Sequence, residues 1–346
     1  MEQKNKQNIV VLDAYGGDNA PQEIVAGAVL AVNKISNLKV LLVGKKLELT
    51  SLLKTHSFDA SQIEIIPAQE VITNDDAPVE AIRTKRNSSL VVALEELRNN
   101  DEVCGLVSAG STGAVLTGGF LKVGRLKGIS RPALAPILPT IDGKQVLLID
   151  CGANMDATSE NLAHFALMGS VYMQSMYETT TPRVALLNVG VEEKKGNELT
   201  KEAYNKLTQL PIHFVGNMEA RDTLSGKYDV IVSDGFAGNV LLKGTEGAVS
   251  GMLKMLSAEI KSSKIGLLGA FFLKKTFKRF KHKLDHTNKG GSPFLGVKKI
   301  IIKSHGSSVA LTIYTSILQV LHLHENKMIE KLEQALELKE GEKEGK

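Results

Sequence analysis

Short apolar runs alternate with longer amphipathic ones along most of this chain. Ile9–Asp13, Lys39–Val43, Ile63–Ile66, Val103–Val107, Gln145–Asp150, Arg183–Val189, Ile212–Val215, Tyr228–Ser233 and Val297–Ile302 are brief and rich in β-branched residues. That pattern predicts buried strands. The stretches between them carry helical spacing. One runs from Pro21 to about Lys34, with Asp18 or Asn19 as candidate caps; others cover Lys46–Lys54, the region of Arg83–Ser89, and the residues up to about Val123. Further helices are predicted from about Ser159 to Ser175, up to about Leu210, after Asn239 and after Ser308. Pro132, Pro136 and Pro139 punctuate an extended run, which suits a sheet edge. This rhythm predicts an α/β protein of three αβα layers built on a mainly parallel sheet. One α/β domain is expected over residues 8–324. The Glu- and Lys-rich tail, 325–346, reads as a solvated helix or a frayed end.

The polar loops fall at the carboxyl ends of the predicted strands, where parallel sheets bind ligands. Ser108-Ala-Gly-Ser-Thr-Gly113 is the sharpest case, because small and hydroxyl residues follow a buried strand and open a helix. Unpaired N–H donors at such a turn suit an anion, most simply phosphate, although an ordinary β–α turn has the same look. Composition narrows the options. The 346 residues are 43% hydrophobic and 23% charged, with a net charge of +4. That excess is too small to imply nucleic acid without a concentrated patch. Cys104 and Cys151 both lie in apolar runs, which points to a reducing compartment. The polar start lacks an apolar signal core and no uncharged run is long enough to span a bilayer, so a cytoplasmic protein is expected.

G-x-G-x-x-G, Walker, G-x-S-x-G and H-E-x-x-H patterns are all absent. His322 and His324 point to different faces of a helix. No metal and no cofactor are therefore expected. What remains is a set of Gly, Asn, Asp and Ser loops able to hold an anion and to stabilise charge on a carbonyl oxygen.

Nine blocks carry a resemblance: Asp13-Ala-Tyr-Gly-Gly-Asp-Asn-Ala-Pro21, Lys85-Arg-Asn-Ser-Ser89, Ser108-Ala-Gly-Ser-Thr-Gly-Ala114, Gly128-Ile-Ser-Arg-Pro-Ala133, Asp150-Cys-Gly-Ala-Asn154, Lys194-Lys-Gly-Asn-Glu-Leu199, Gly216-Asn-Met-Glu-Ala-Arg-Asp222, Asp234-Gly-Phe-Ala-Gly-Asn239 and His305-Gly-Ser-Ser308. In this order they resemble the bacterial phosphate acyltransferases of phospholipid synthesis. The resemblance implies conversion of acyl-[acyl carrier protein] and inorganic phosphate into acyl phosphate and free carrier protein. It also implies a homodimer with a fold similar to isocitrate dehydrogenase and phosphotransacetylase, peripheral membrane association, and a membrane glycerol-3-phosphate acyltransferase as recipient of the product. Tyr15, Ser111, Ala237 and the apolar Val309-Ala-Leu311 depart from the family pattern; Ser111 can still donate a hydrogen bond.

Under that reading Gly110, Ser111, Thr112 and Gly113, with Asn154 and Asn239, hold phosphate and the oxyanion. Lys195 or His305 assists the leaving sulfur, and Asp234 orients its neighbours. Asp13, Gly16, Gly17, Arg83, Lys85, Arg86, Asn197 and Asn217 are candidates for binding substrate or carrier protein. Cys151 has no visible activating base, so direct attack by phosphate is expected. Residues 265–284 combine an apolar stripe (Ile265, Leu268, Phe272, Phe277, Phe280, Leu284) with Lys274, Lys275, Lys278 and Arg279. This suits a helix lying in a membrane interface, and also one packed on the core, a dimer partner or an acidic carrier. Two other functions fit the same loops: a coenzyme A-dependent phosphotransacetylase, and a non-enzymatic membrane-docked scaffold of lipid synthesis. A metal- and nicotinamide-dependent decarboxylating dehydrogenase lacks its carboxylate cluster here.

Overall fold

A computed structural model describes residues 7–177, 179–284 and 290–344, with side chains for all but 281–284 and 339–344 of these. The strands, in chain order, are β1 (Asn8–Asp13), β2 (Leu38–Gly44), β3 (Ile63–Pro67), β4 (Val103–Ser108), β5 (Ala133–Leu134), β6 (Ile137–Pro139), β7 (Gln145–Ile149), β8 (Arg183–Asn188), β9 (His213–Glu219), β10 (Val230–Val232), β11 (Ser292–Leu295) and β12 (Ile300–Lys303). The helices are α1 (Gln22–Val32), α2 (Lys46–Leu53), α3 (Pro78–Thr84), α4 (Ser89–Asn99), α5 (Thr112–Gly118), α6 (Ser159–Tyr177), α7 (Glu198–Leu207), α8 (Gly235–Ser262), α9 (Lys264–Phe272), α10 (Lys274–Leu284), α11 (Ala310–Glu325) and α12 (Met328–Glu344). A π-helical stretch, Gly119–Val123, extends α5.

The strands divide into two sheets, in the orders β3-β2-β1-β4-β12-β11-β5 and β6-β7-β10-β8-β9. Pairing is parallel except for β11, β5 and β6, so both sheets are mainly parallel with helices in layers around them. A parallel strand buried on both faces must be apolar along its length, and β4 is buried at every residue. The proline-rich run does lie at edges: β5 closes one sheet and β6 opens the other. Proline offers a carbonyl but no N–H, and the Pro136 carbonyl accepts from the Leu148 N–H at 3.0 Å. On the other side the Ala135 N–H donates to the Pro293 carbonyl at 3.1 Å. One extended segment thereby stitches the two sheets together.

A single hydrophobic cluster runs through both halves, from Val10 and Leu12 of the first sheet to Val184 and Val230 of the second. Helix α6 is buried on almost every face because it lies between β7 and β10 on one side and α7, α11 and α12 on the other. Its Phe165 and Tyr172 are fully buried, and burying each contributes roughly 1.5–3 kcal/mol. The Tyr172 hydroxyl accepts a 2.8 Å bond from the Gln319 amide of α11, so this buried oxygen is satisfied.

Four sequence expectations change. Helix α1 starts at Gln22 with no side-chain cap; Asn19 instead donates its amide to the Ser307 and Ser308 carbonyls, tying the first polar loop to the last. The run Gly216–Glu219 continues β9, with Gly216 at φ +95° and the ladder slipping where β9 passes β8. Strand β11 carries a proline at its second position, Pro293, and pairs antiparallel, and so escaped the alternation pattern. The charged tail is only partly solvated, since Met328, Leu332 and Leu336 of α12 are buried in the main cluster.

Candidate active site

A cavity of about 490 Å³ opens between the two sheets. Leu134, Pro136, Ile137, Leu138, Pro139, Cys151, Leu224, Leu242, Val249 and Leu253 make it largely apolar. Thr112, Asn239, Lys303, Ser304 and His305 bring polar groups to it. Helix α8 supplies Asn239, Leu242, Lys243, Glu246, Val249, Ser250 and Leu253, spaced by three and four residues, so one helical face forms a wall. From Asn239 to Leu253 that face extends about 21 Å.

Lys303, at the carboxyl end of β12, is the residue the sequence reading missed. It is only 8% exposed and its ammonium donates to the Ser304 carbonyl. Burial pushes its pKa down to about 8, while the carboxylates of Asp13 and Asp18 pull the other way. Its one available signal was a lysine ending the run Ile300-Ile-Ile302, which pattern reading assigns to a strand terminus. Asp13, at the end of β1, is also buried, and burial pushes its pKa up while bonds from Ser89 and Ser108 oppose the shift. The Ser108 hydroxyl donates to Asp13 Oδ2 at 2.7 Å and accepts from the Gly110 N–H at 3.1 Å. Asp13 thus anchors the 108–113 loop rather than facing open solvent. Gly16 makes this possible: a Cβ there would lie 2.5 Å from the Gly110 nitrogen. Gly17, at φ +101°, brings the same loop against Gly306.

His305 is exposed at the cavity, and its Nδ1 receives the Ser307 backbone N–H at 3.2 Å. A backbone N–H can only donate, so Nδ1 is the acceptor and the neutral ring carries its proton on Nε2. Asn239 and Thr112 line the cavity, while Ser111 forms the turn before α5. The side of Gly113 where a Cβ would stand faces α3: that atom would lie 2.7 Å from Pro78 Cγ, so the residue's smallness serves packing.

Several predicted site residues act as braces. Asn154 is buried, donating its side-chain amide to the Pro132 carbonyl at 2.8 Å and to Asp150 at 2.9 Å. Asp150 accepts from Leu134, Ala153 and Asn154, holding the junction between the sheets. Asp234 caps α8 through the Ala237 N–H at 2.8 Å, and Asn197 caps α7 through Thr200 at 2.9 Å. Asn217 is buried in β9 and donates to the Glu192 carbonyl at 2.9 Å, which steadies the 189–197 loop. Lys195 is exposed on that loop and does not line the cavity. Lys85 is engaged by Asp76 at 2.6 Å and the Val71 carbonyl at 3.0 Å, whereas Arg83 and Arg86 are exposed. Cys151 lines the cavity, but burial and the nearby Asp150 push its thiol pKa well up, which keeps it protonated.

The family described as fatty acid synthesis protein matches residues 9–331. A phosphate acyltransferase of an Exiguobacterium species is 43% identical, over 94% of this chain and 98% of its own. One from Clostridium acetobutylicum is 44% identical, over 95% and 99%. This chain belongs to the phosphate acyltransferase family. Among solved structures, a phosphotransacetylase from Staphylococcus aureus superposes with a TM-score of 0.59 at 16% identity, over 93% of this chain and 94% of that one. A putative 4-hydroxythreonine-4-phosphate dehydrogenase from Salmonella typhimurium gives 0.53 at 13%, over 92% and 99%. These likenesses establish a fold shared by phosphotransacetylases and dehydrogenases of this type. The acyltransferase family assignment covers both sheets, and therefore both walls of the cavity.

Proposed function

We propose that this protein transfers the acyl group of acyl-[acyl carrier protein] to inorganic phosphate, giving acyl phosphate and free carrier protein for phospholipid synthesis. The observation that carries the reading is one cavity joining a long apolar wall to a cluster of hydroxyl, amide and cationic groups. An acyl chain lies against α8 and the proline-rich segment, with the thioester among the polar residues. The first-turn N–H groups of α5, with Asn239, orient phosphate and the developing oxyanion. A phosphate oxygen attacks the thioester carbon; the tetrahedral intermediate collapses, the C–S bond breaks, and the sulfur takes a proton. Lys303 or the Nε2 proton of His305 supplies it. Residues 8–324 act as one catalytic unit.

The surroundings support a peripheral place at the membrane of a cytoplasmic homodimer. Phe271 and Phe272 of α9 are exposed, Phe272 at 76%, and lie next to the cationic α10. A break at Leu273 divides the predicted single stripe between two helices, leaving Phe277 and Phe280 with Lys274 and Lys278 on the second. Among the described residues no helix is long and apolar enough to cross a membrane. Met252, Met255 and Leu256 of α8 are exposed and available to a second copy. The product, being amphiphilic, passes to a membrane glycerol-3-phosphate acyltransferase.

The test is loss of the acyl thioester by purified protein, with and without phosphate, comparing acyl carrier protein and coenzyme A as acyl donors. Phosphate-dependent turnover favouring the carrier protein is expected. A preference for coenzyme A assigns the protein to phosphotransacetylase chemistry, and no turnover with either leaves a scaffold.

A further inference from the structure

A second groove, of about 290 Å³, lies next to the reaction cavity. Its floor is apolar, from Val79 of α3, Leu116 and Leu121 along α5 and its extension, and Phe294. Two guanidinium groups, Arg83 and Arg131, line it, and no acidic side chain does. Both arginines are exposed, and no hydrogen bond or ion pair engages either side chain among the described residues. Two unpaired arginines at one concave site repel each other and leave ten N–H donors to water, a pattern that suits a phosphate ester.

The two cavities adjoin along two elements. Thr112 lines the first and Leu116 the second, one turn of α5 apart, or about 6 Å. Leu134 lines the first and Pro132 the second, about 7 Å apart along an extended chain. The Asn154 amide locks the Pro132 carbonyl at 2.8 Å, so the wall between them is fixed. The arginine groove therefore begins within about 7 Å of residues that line the reaction cavity.

We propose that Arg83 and Arg131 bind the phosphodiester through which a pantetheine arm joins its carrier protein. The inference rests on the acyl-carrier donor given under Proposed function. It places the acyl chain against α8, the thioester at Thr112 and Asn239, and the thin, partly apolar arm along Leu116 and Phe294. The arginines then recognise the only charged group on that arm. They bind the donor and touch none of the reacting atoms.

The test compares acyl-[acyl carrier protein] with an S-acyl pantetheine that lacks the phosphate, using wild type and the double variant Arg83→Gln, Arg131→Gln. Loss of two charge-assisted contacts raises KM for the carrier donor by roughly ten- to hundredfold. The wild-type preference for the phosphorylated donor, as a ratio of kcat/KM values, falls by the same factor, while KM for inorganic phosphate holds. Thermal unfolding of the variant matches wild type, since both side chains are exposed. An unchanged preference ratio overturns the proposal. So does a raised KM for inorganic phosphate with an unchanged ratio, which assigns the groove to the free anion. A wild type that turns over neither donor overturns the donor reading itself, before the arginines are tested.

Discussion

Replacing Lys303 by methionine separates its chemistry from its burial. The ordinary lysine pKa of 10.5 is lowered to about 8 at this site, close to the thiol leaving group at about 8.5. At pH 7 roughly nine in ten of these side chains carry the proton, and giving it to sulfur is nearly balanced in energy. Lys303→Met should lower kcat by on the order of 10²–10⁴, or about 3–5 kcal/mol of transition-state stabilisation. The wild-type rate should fall as pH rises through about 8, and this limb should vanish in the variant. Stability moves in the opposite sense. Because the folded-state pKa lies below the unfolded one, the unfolded chain binds more protons between pH 8 and 10.5, so wild-type stability rises across that window. Below pH 8 the cost of burying the charge, about 3 kcal/mol, is fully present. Wild type should therefore gain stability relative to Lys303→Met between pH 8 and 10, read by denaturant unfolding. Donor chemistry provides the control: an aryl thioester, whose thiol is a stronger acid, needs no proton and should recover most of the lost rate. Equal losses with alkyl and aryl thioesters, or an unchanged alkaline limb in the variant, would refute the assignment.

Gly113→Ala should cost about 1–3 kcal/mol in stability with little change in KM for phosphate, because it keeps the N–H and the added methyl meets Pro78 at 2.7 Å; a raised phosphate KM in a fully stable variant would show that the space beside this glycine, and not only its N–H, serves the anion. Intact-mass spectrometry with acyl carrier donor but no phosphate should show unmodified protein, since burial keeps the Cys151 thiol protonated; a stable acyl adduct would require covalent catalysis. Phe272→Glu with Phe277→Glu should abolish co-sedimentation with anionic vesicles while turnover of soluble donor persists, and wild-type sedimentation by this variant would remove α9 and α10 from the membrane surface.

The periodicity of the chain carried most of the fold, because parallel strands buried on both faces leave short apolar runs such as Val103–Val107 that little else produces. It could not show that there are two sheets. Their junction is a proline-rich segment whose short strands β5 and β6 pair in different sheets, and such a segment looks the same at the edge of one sheet. The candidate site was partly legible. Strand-end loops bearing Thr112, Asn239 and His305 do converge on one cavity, as the carboxyl-end rule requires. Asn154, Asp234 and Asn197 share the residue types of a binding loop but spend their hydrogen bonds on carbonyls and helix starts. Polar composition alone does not distinguish these uses. Lys303 was hidden for the opposite reason: its neighbours are isoleucines, and only tertiary burial beside Asp13 makes it unusual. Arg131 sat within a recognised block, yet its pairing with Arg83 needs the approach of α3 to the 131–134 segment.

The central claim is that this cavity brings inorganic phosphate onto an acyl thioester. Its most direct test supplies long-chain acyl carrier donor with oxygen-labelled phosphate and follows the acyl product by mass spectrometry. Acyl phosphate carrying all the labelled oxygens, formed one for one with free carrier thiol, is the predicted result. Free fatty acid with no labelled acyl phosphate would contradict it.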